Sequence, residues 1–189
     1  MESNFISQVD LSTLYSQEIK SKGKNGIKET LNKKKPLEEQ EIRNSIFLCH
    51  SHLDKTIVEK VSILFERMHV GMYIDWMDLT MPRETNHITA KTIKSRIEQC
   101  KKFIFLATYN ALKSKWCNWE LGLAYASRID NDFAILPIET KSGKWLGNEY
   151  LNLYPVIKIE GRIEDIVVNH VKVFSTNGKE MEFLDWLTQ

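Results

Sequence analysis

The chain lacks most of the features that would assign it at sight. Its three cysteines, Cys49, Cys100 and Cys117, form no C-x-x-C pair and no even set, which argues against a disulfide framework and for a reducing compartment. No basic-then-apolar leader opens the sequence, so the expected location is cytoplasmic. The longest apolar runs are strand-sized, far below the roughly 20 residues a membrane helix needs. Charge of one sign is missing too: 26 basic against 25 acidic side chains leave a formal charge of +1. No global field therefore recruits nucleic acid or an anionic membrane, and neither is expected as a partner. Neither G-x-G-x-x-G nor G-x-x-x-x-G-K-[ST] occurs, which removes the dinucleotide-binding turn and the P-loop.

What is present is an ordinary globular composition, 42% hydrophobic and 27% charged over 189 residues, enough for one core plus a smaller segment. Residues 1–43 read as that segment, a lysine-rich, partly helical extension. It carries Lys20, Lys22, Lys24, Lys28 and Lys33 to Lys35, and Gly23 and Gly26 interrupt any long helix. Phe5, Ile6, Val9 and Leu14 suit a short amphipathic helix, and Pro36 with the acids after it reads as a helix start.

From Asn44 the pattern becomes regular. Short runs that are apolar on both faces occur at Ile46–Leu48, Met72–Ile74, Phe103–Ala107, Phe133–Ile138 and Val156–Ile159, as in the central strands of a parallel sheet covered on both sides. Between the first two, Ile57, Val61, Leu64, Phe65 and Met68 make a helical stripe after Asp54, a candidate cap. Between the second and third, Ile88, Ile93, Ile97 and Cys100 make another, and a terminal helix is expected near Met181–Leu187. The alternation predicts a doubly wound α/β domain over residues 44–189. Such folds bind ligands outside the carboxyl ends of the strands, where the strand order reverses. The first strand runs out into Cys49-His50-Ser51-His52, the second into Asp75-Trp76, and the third into Thr108-Tyr109-Asn110. Polar and aromatic residues thus gather at one rim.

The rim and the helix that follows it offer three candidate chemistries. Cys49-His50-Ser51-His52 offers zinc-type ligands, yet no second ligand pair stands at a zinc-site spacing, and extended backbone turns Cys49 and His50 to opposite faces; no metal is expected. A Cys117 nucleophile lacks a positioned base, so buried packing accounts for it better. Trp116 and Glu120 are four residues apart, which on a helix stacks the carboxylate one turn above the indole. An isolated acid beside aromatic surface suits a developing positive charge. The same residues could equally be two core tryptophans and a solvated helix acid.

Ile46-Phe-Leu-Cys-His-Ser-His-Leu-Asp54 resembles the first box of Toll/interleukin-1 receptor (TIR) domains. Asp75-Trp-Met-Asp-Leu-Thr-Met-Pro82 resembles the second, and Lys115-Trp-Cys-Asn-Trp-Glu-Leu-Gly122 the helix motif of the family's bacterial, NAD+-cleaving branch. The resemblance covers about residues 44–189 and implies a flavodoxin-like doubly wound sheet of five parallel strands. It departs from the family at Arg83, where many members have Gly after the proline, and at Cys49-His50, where Ser-Tyr is frequent.

By the same resemblance Glu120 is the catalytic carboxylate and Trp116 a wall of the nicotinamide-ribose pocket. His50 and Ser51 belong to the first substrate-contacting loop, while Asp75 and Trp76 open the mobile loop of residues 77–86, which often completes a neighbour's pocket in a self-associated assembly. NAD+ is then a substrate and no cofactor is implied. Cleavage of its nicotinamide-ribose bond passes through an oxocarbenium-like state; because nicotinamide leaves as a neutral molecule, one carboxylate suffices. Water would give ADP-ribose, the adenine ring a cyclic isomer, another nucleophile a conjugate. A stand-alone bacterial anti-phage signal acting on a separate effector is the role implied. The alternative is a non-catalytic TIR–TIR adaptor or a secreted mimic of host TIR signalling.

Overall fold

The structure, a computed structural model, describes residues 5–32, 39–78, 86–127, 132–140, 149–161 and 170–189. Among them, the expected runs form strands β2 (Ile46–Cys49), β3 (Met72–Tyr73), β4 (Lys102–Ala107), β5 (Phe133–Glu139) and β6 (Val156–Ile159). They lie side by side in the order β3-β2-β4-β5-β6, all parallel. After β2 the chain crosses to one side of it to build β3 and returns to the other to build β4. The order therefore reverses between β2 and β4, the flavodoxin-like arrangement the alternation predicted.

Side-chain alternation divides the core into two layers. On one face, Ile46, Leu48, Ile104 and Leu106 pack with Val58, Val61, Leu64 and Phe65 of helix α3 (Lys55–Arg67). The other face packs on α4 (His87–Gln99) and α6 (Lys115–Ser127). A row of stacked rings crosses that face: Tyr73 on Phe47 at 5.4 Å, Phe47 on Phe103 at 5.5 Å and Phe103 on Phe133 at 5.1 Å. Each pair sits in register on neighbouring strands, so the ladder pins the register by cross-strand contact.

The sheet is larger than the five parallel strands expected. Strands β7 (Val171–Phe174) and β8 (Glu180–Glu182) continue it antiparallel beyond β6 and lead into α7 (Phe183–Thr188). In β7, Val171 and Val173 are buried while Lys172 and Phe174 are partly exposed. That is the period-two signature of a strand wet on one face, which a search for runs apolar on both faces passes over.

The described part of the first segment packs onto the sheet and α3. Ile6 and Ser7 form β1, which pairs in parallel with Ile138 and Glu139 of β5. Ser7 and Asp10 then bond reciprocally, Ser7 N–H to Asp10 Oδ2 at 2.9 Å and Asp10 N–H to Ser7 Oγ at 3.1 Å, and start helix α1 (Gln8–Asn32). Leu11, Leu14 and Ile27 are buried, and α1 lies against α3. Gly23, at φ +71°, breaks the helix as its position predicted. Of the expected helix after Pro36, residues Glu39–Arg43 form α2; Pro36 and Lys33 to Lys35 lie outside the described residues.

Two local expectations change. Ile88, read as part of a core stripe, is exposed. Thr89 is buried instead, closing a capping box with Asn86 at the start of α4. Asp54 makes no cap bond to α3; its carboxylate is engaged at the rim, below.

Candidate functional site

The carboxyl ends of β2, β3 and β4 carry the polar cluster, at the reversal point of the sheet. Beyond β2, the His50 ring is held at both nitrogens: Nδ1 lies 2.7 Å from the Leu48 carbonyl oxygen and Nε2 lies 3.3 Å from Asp75 Oδ1. Both neighbours are acceptors, so the doubly protonated ring is the form that satisfies both contacts. Burial alone would lower the affinity of His50 for its second proton. The hydrogen bond and charge of Asp75 outweigh it, and the His50 pKa is raised. Asp75 moves the other way. Burial pushes its pKa up, but the bond and charge of His50 and the Trp76 N–H at 2.7 Å pull it below the ordinary carboxylate range. Trp76 meets the His50 ring edge-on at 4.4 Å. Three of the sequence-predicted residues, from two separate rim segments, thus form one contact group.

Ser51 is buried, and its Oγ accepts from Leu53 N–H at 3.3 Å, starting the short turn His52–Asp54. That turn delivers Asp54, 3% exposed, across to the rim of β4. There its Oδ2 accepts from the Thr108 hydroxyl and its Oδ1 from Asn110 Nδ2 at 2.6 Å. Thr108 Oγ1 in turn accepts from Ala111 N–H at 3.0 Å, capping α5 (Tyr109–Lys113). Asp54 is therefore the tie between the loop after β2 and the segment that leads into α6. The sequence placed Thr108 and Asn110 at the rim, as polar residues directly after a buried strand, but read Asp54 as a helix cap and did not join it to them.

Helix α6 carries the remaining candidates. Trp116 and Trp119 are about two-fifths exposed and meet edge to face at 5.3 Å, so neither is a core residue. Glu120, in contrast, is 6% exposed. Burial dominates its titration and drives its pKa up, to about 8; the Cys117 and Asp75 charges act in the same sense, and the Cys49 thiol and His50 oppose them. A carboxyl so placed keeps its proton near neutral pH until a positive charge arrives beside it. The Cys49 thiol, on the α6 side of the sheet, donates to the Cys117 carbonyl at 3.7 Å.

The start of the loop after β3 is tied down as well. Asp78 Oδ2 accepts from the Tyr73 hydroxyl at 2.6 Å and from Arg96 Nε of α4 at 3.0 Å. Residues 79–85, including Pro82 and Arg83, lie outside the described residues, and with them most of the loop of residues 77–86. Among the described residues no group of three His, Cys, Asp or Glu side chains is arranged to hold a metal ion, and no helix is long and apolar enough to cross a membrane.

Comparison with protein families matches residues 46–158 to the TIR domain. A probable 3′ cyclic ADP-D-ribose synthase, ThsB′, of Bacillus cereus (strain MSX-D12) is 32% identical over 148 residues, covering 76% of this chain and 75% of that protein. A candidate cyclic ADP-D-ribose synthase, TIR2, of Cytobacillus dafuensis is 30% identical over 94 residues, covering 46% of this chain and 25% of that protein.

Proposed function

The chain belongs to the TIR-domain family, and from that premise we propose that it cleaves the nicotinamide-ribose bond of NAD+, with Glu120 as the reacting carboxylate. The observation that carries the proposal is a carboxyl only 6% exposed on α6, the helix packed on β2 and β4 where the sheet order reverses, and its burial pushes its pKa up. The substrate's nicotinamide ring is a cation and its scission builds positive charge on the ribose. Both favour the ionised form of a group that low-dielectric surroundings otherwise keep neutral. Glu120 then stabilises the ribosyl cation, hydrogen-bonds a ribose hydroxyl or traps C1 covalently. His50 and Ser51, Asp75 and Trp76 line the approach, and Trp116, exposed at the helix surface, offers an indole face to the leaving ring.

Cyclisation is the outcome we favour over hydrolysis, because both relatives carry names of cyclic ADP-D-ribose synthases. NAD+ enters as substrate, with no further cofactor. The working location is the cytoplasm, where the product would act on a separate effector in anti-phage signalling. Self-association through the segment of residues 77–86 completes the proposal.

The test incubates wild type and Glu120→Ala at high protein concentration with NAD+, follows nicotinamide release and resolves the nucleotide products by mass spectrometry. Release by wild type alone, with a product of cyclic ADP-ribose mass, is the expected result. A product of ADP-ribose mass would make the protein a hydrolase. Equal release by both proteins would remove Glu120 from the chemistry, and release by neither would favour the non-catalytic adaptor.

A further inference from the structure

Asp75 takes both of its contacts on one oxygen. Its Oδ1 lies 3.3 Å from His50 Nε2 and accepts from Trp76 N–H at 2.7 Å. Among the described residues no donor meets Oδ2, although the Asp75 side chain is 36% exposed. The anchor behind Oδ1 is itself held: the His50 side chain is 3% exposed, and its Nδ1 lies 2.7 Å from the Leu48 carbonyl oxygen. Two contacts on Oδ1, one from the neighbouring strand end and one from the next backbone amide, restrain the carboxylate and leave Oδ2 open with its lone pairs. The same contacts hold the Asp75 pKa below the ordinary carboxylate range, so the group is an anion at neutral pH. Asp75 follows β3, the neighbour of β2, on which the helix of Glu120 packs, and its charge acts on Glu120.

An anionic acceptor fixed from behind and open in front selects neutral donors and repels a diphosphate. The neutral donors of NAD+ are its carboxamide, its adenine amino group and the hydroxyls of its riboses. The N–H bonds of an amide or amino group diverge in one plane, so a single oxygen meets one of them. Vicinal hydroxyls rotate and converge on it, giving paired charge-assisted O–H···O bonds. We propose that Asp75 is a specificity-determining residue that recognises a ribose of NAD+, its Oδ2 accepting from the vicinal hydroxyls while His50 and the Trp76 amide hold Oδ1. This rests on NAD+ being the substrate. No covalent bond forms or breaks at Asp75. His50 acts through Asp75 as a positioning residue, since both of its ring nitrogens are committed.

The test uses Glu120→Gln protein, so that the dinucleotide stays intact, with and without Asp75→Asn. Isothermal titration calorimetry gives Kd for NAD+ and for analogues that each lack the 2′ or 3′ hydroxyl of the nicotinamide ribose or of the adenosine ribose. Asp75→Asn keeps an oxygen for His50 and Trp76 and puts an amide NH2 in place of Oδ2. With Asp75 present, removing a hydroxyl from one ribose should weaken binding about 10- to 100-fold, the worth of a bond to a charged acceptor. The ribose at which this happens is the one recognised. In Asp75→Asn the same analogues should fall within about 3-fold of NAD+, whereas a merely structural role would weaken NAD+ and every analogue alike. Equal Kd values for all ligands with Asp75 present overturn the proposal, as does an Asp75→Asn protein that keeps the discrimination. Should Asp75→Asn fail to fold, the carbon-13 resonance of the Asp75 carboxyl in Glu120→Gln decides: it should shift with NAD+ and not with the discriminated analogue, and equal shifts overturn the proposal. Discriminating binding beside a wild type that releases no nicotinamide would remove the reaction and keep the role of Asp75. NAD+ that does not bind at all would remove both.

Discussion

The Nε2 atom of His50 lies 3.3 Å from Asp75 Oδ1 and joins the rims of β2 and β3 across the mouth of the site. The two groups titrate in opposite senses: the His50 pKa is raised and the Asp75 pKa lowered. A raised histidine contributes stability below its unfolded pKa and loses it as pH rises through the folded value. A depressed carboxylate contributes above its unfolded pKa and loses it as pH falls through the folded value. The pair is therefore complete between the depressed Asp75 value and the raised His50 value. Asp75→Asn should cost about 1–2 kcal/mol at pH 6, discounted for the partial exposure of Asp75, and much less at pH 9. Urea unfolding of Asp75→Asn, His50→Gln and the double variant at both pH values measures the coupling; single-variant costs that simply add would show that the pair is not coupled.

Glu120 carries the opposite sign. Its folded pKa, about 8, stands above the ordinary carboxylate value, so the native state binds a proton that the unfolded chain releases, and stability falls as pH rises toward 8. Glu120→Gln keeps the shape without the ionisation. It should abolish nicotinamide release, by about 10²-fold or more, while raising Tm at pH 8.5 at about 2–4 °C per kcal/mol gained. The gain should vanish near pH 4.5. Thermal scans at the two pH values read it directly, and a Tm lowered at pH 8.5 would contradict the buried, uncompensated carboxyl.

Asp54 should behave as a structural tie. Asp54→Ala removes the acceptor of both Thr108 and Asn110 and leaves two donors at the rim without it. A loss of about 2–4 kcal/mol follows, with local opening between the loop after β2 and α5. Hydrogen exchange at the amides of residues 51–54 and 108–112 locates the change; protection lost elsewhere but kept there would refute the tie.

Trp116 separates binding from folding. It is about two-fifths exposed and contacts Trp119 edge to face, so Trp116→Ala should cost at most about 1.5 kcal/mol of stability. If its indole meets the nicotinamide ring, KM for NAD+ should rise about 10-fold, the worth of one stacked ring. Steady-state kinetics beside an unfolding curve distinguish the two. A large loss of stability with unchanged KM would make Trp116 a packing residue.

Local pattern was enough for the sheet and the place of the site. Short runs apolar on both faces, alternating with helical stripes, read as covered strands, so Ile46–Leu48, Met72–Ile74 and Phe103–Ala107 and the rim after each were legible in the sequence. Tertiary structure decided whatever depends on which neighbour an isolated group meets. Lys102, directly before the apolar run Phe103–Ala107, is fully buried, 2.5 Å from Asp132 and over the Trp186 ring, a placement no pattern in the sequence marks. Asp54 reads as a helix cap and instead joins two loops. Ile6 reads as part of a short amphipathic helix and instead pairs with Ile138 of β5. Periodicity encodes which side of an element faces the core, because burial repeats along the chain. Partnership between single polar side chains, His50 with Asp75 or Asp54 with Thr108, repeats nowhere, and only the folded juxtaposition of distant segments fixes it.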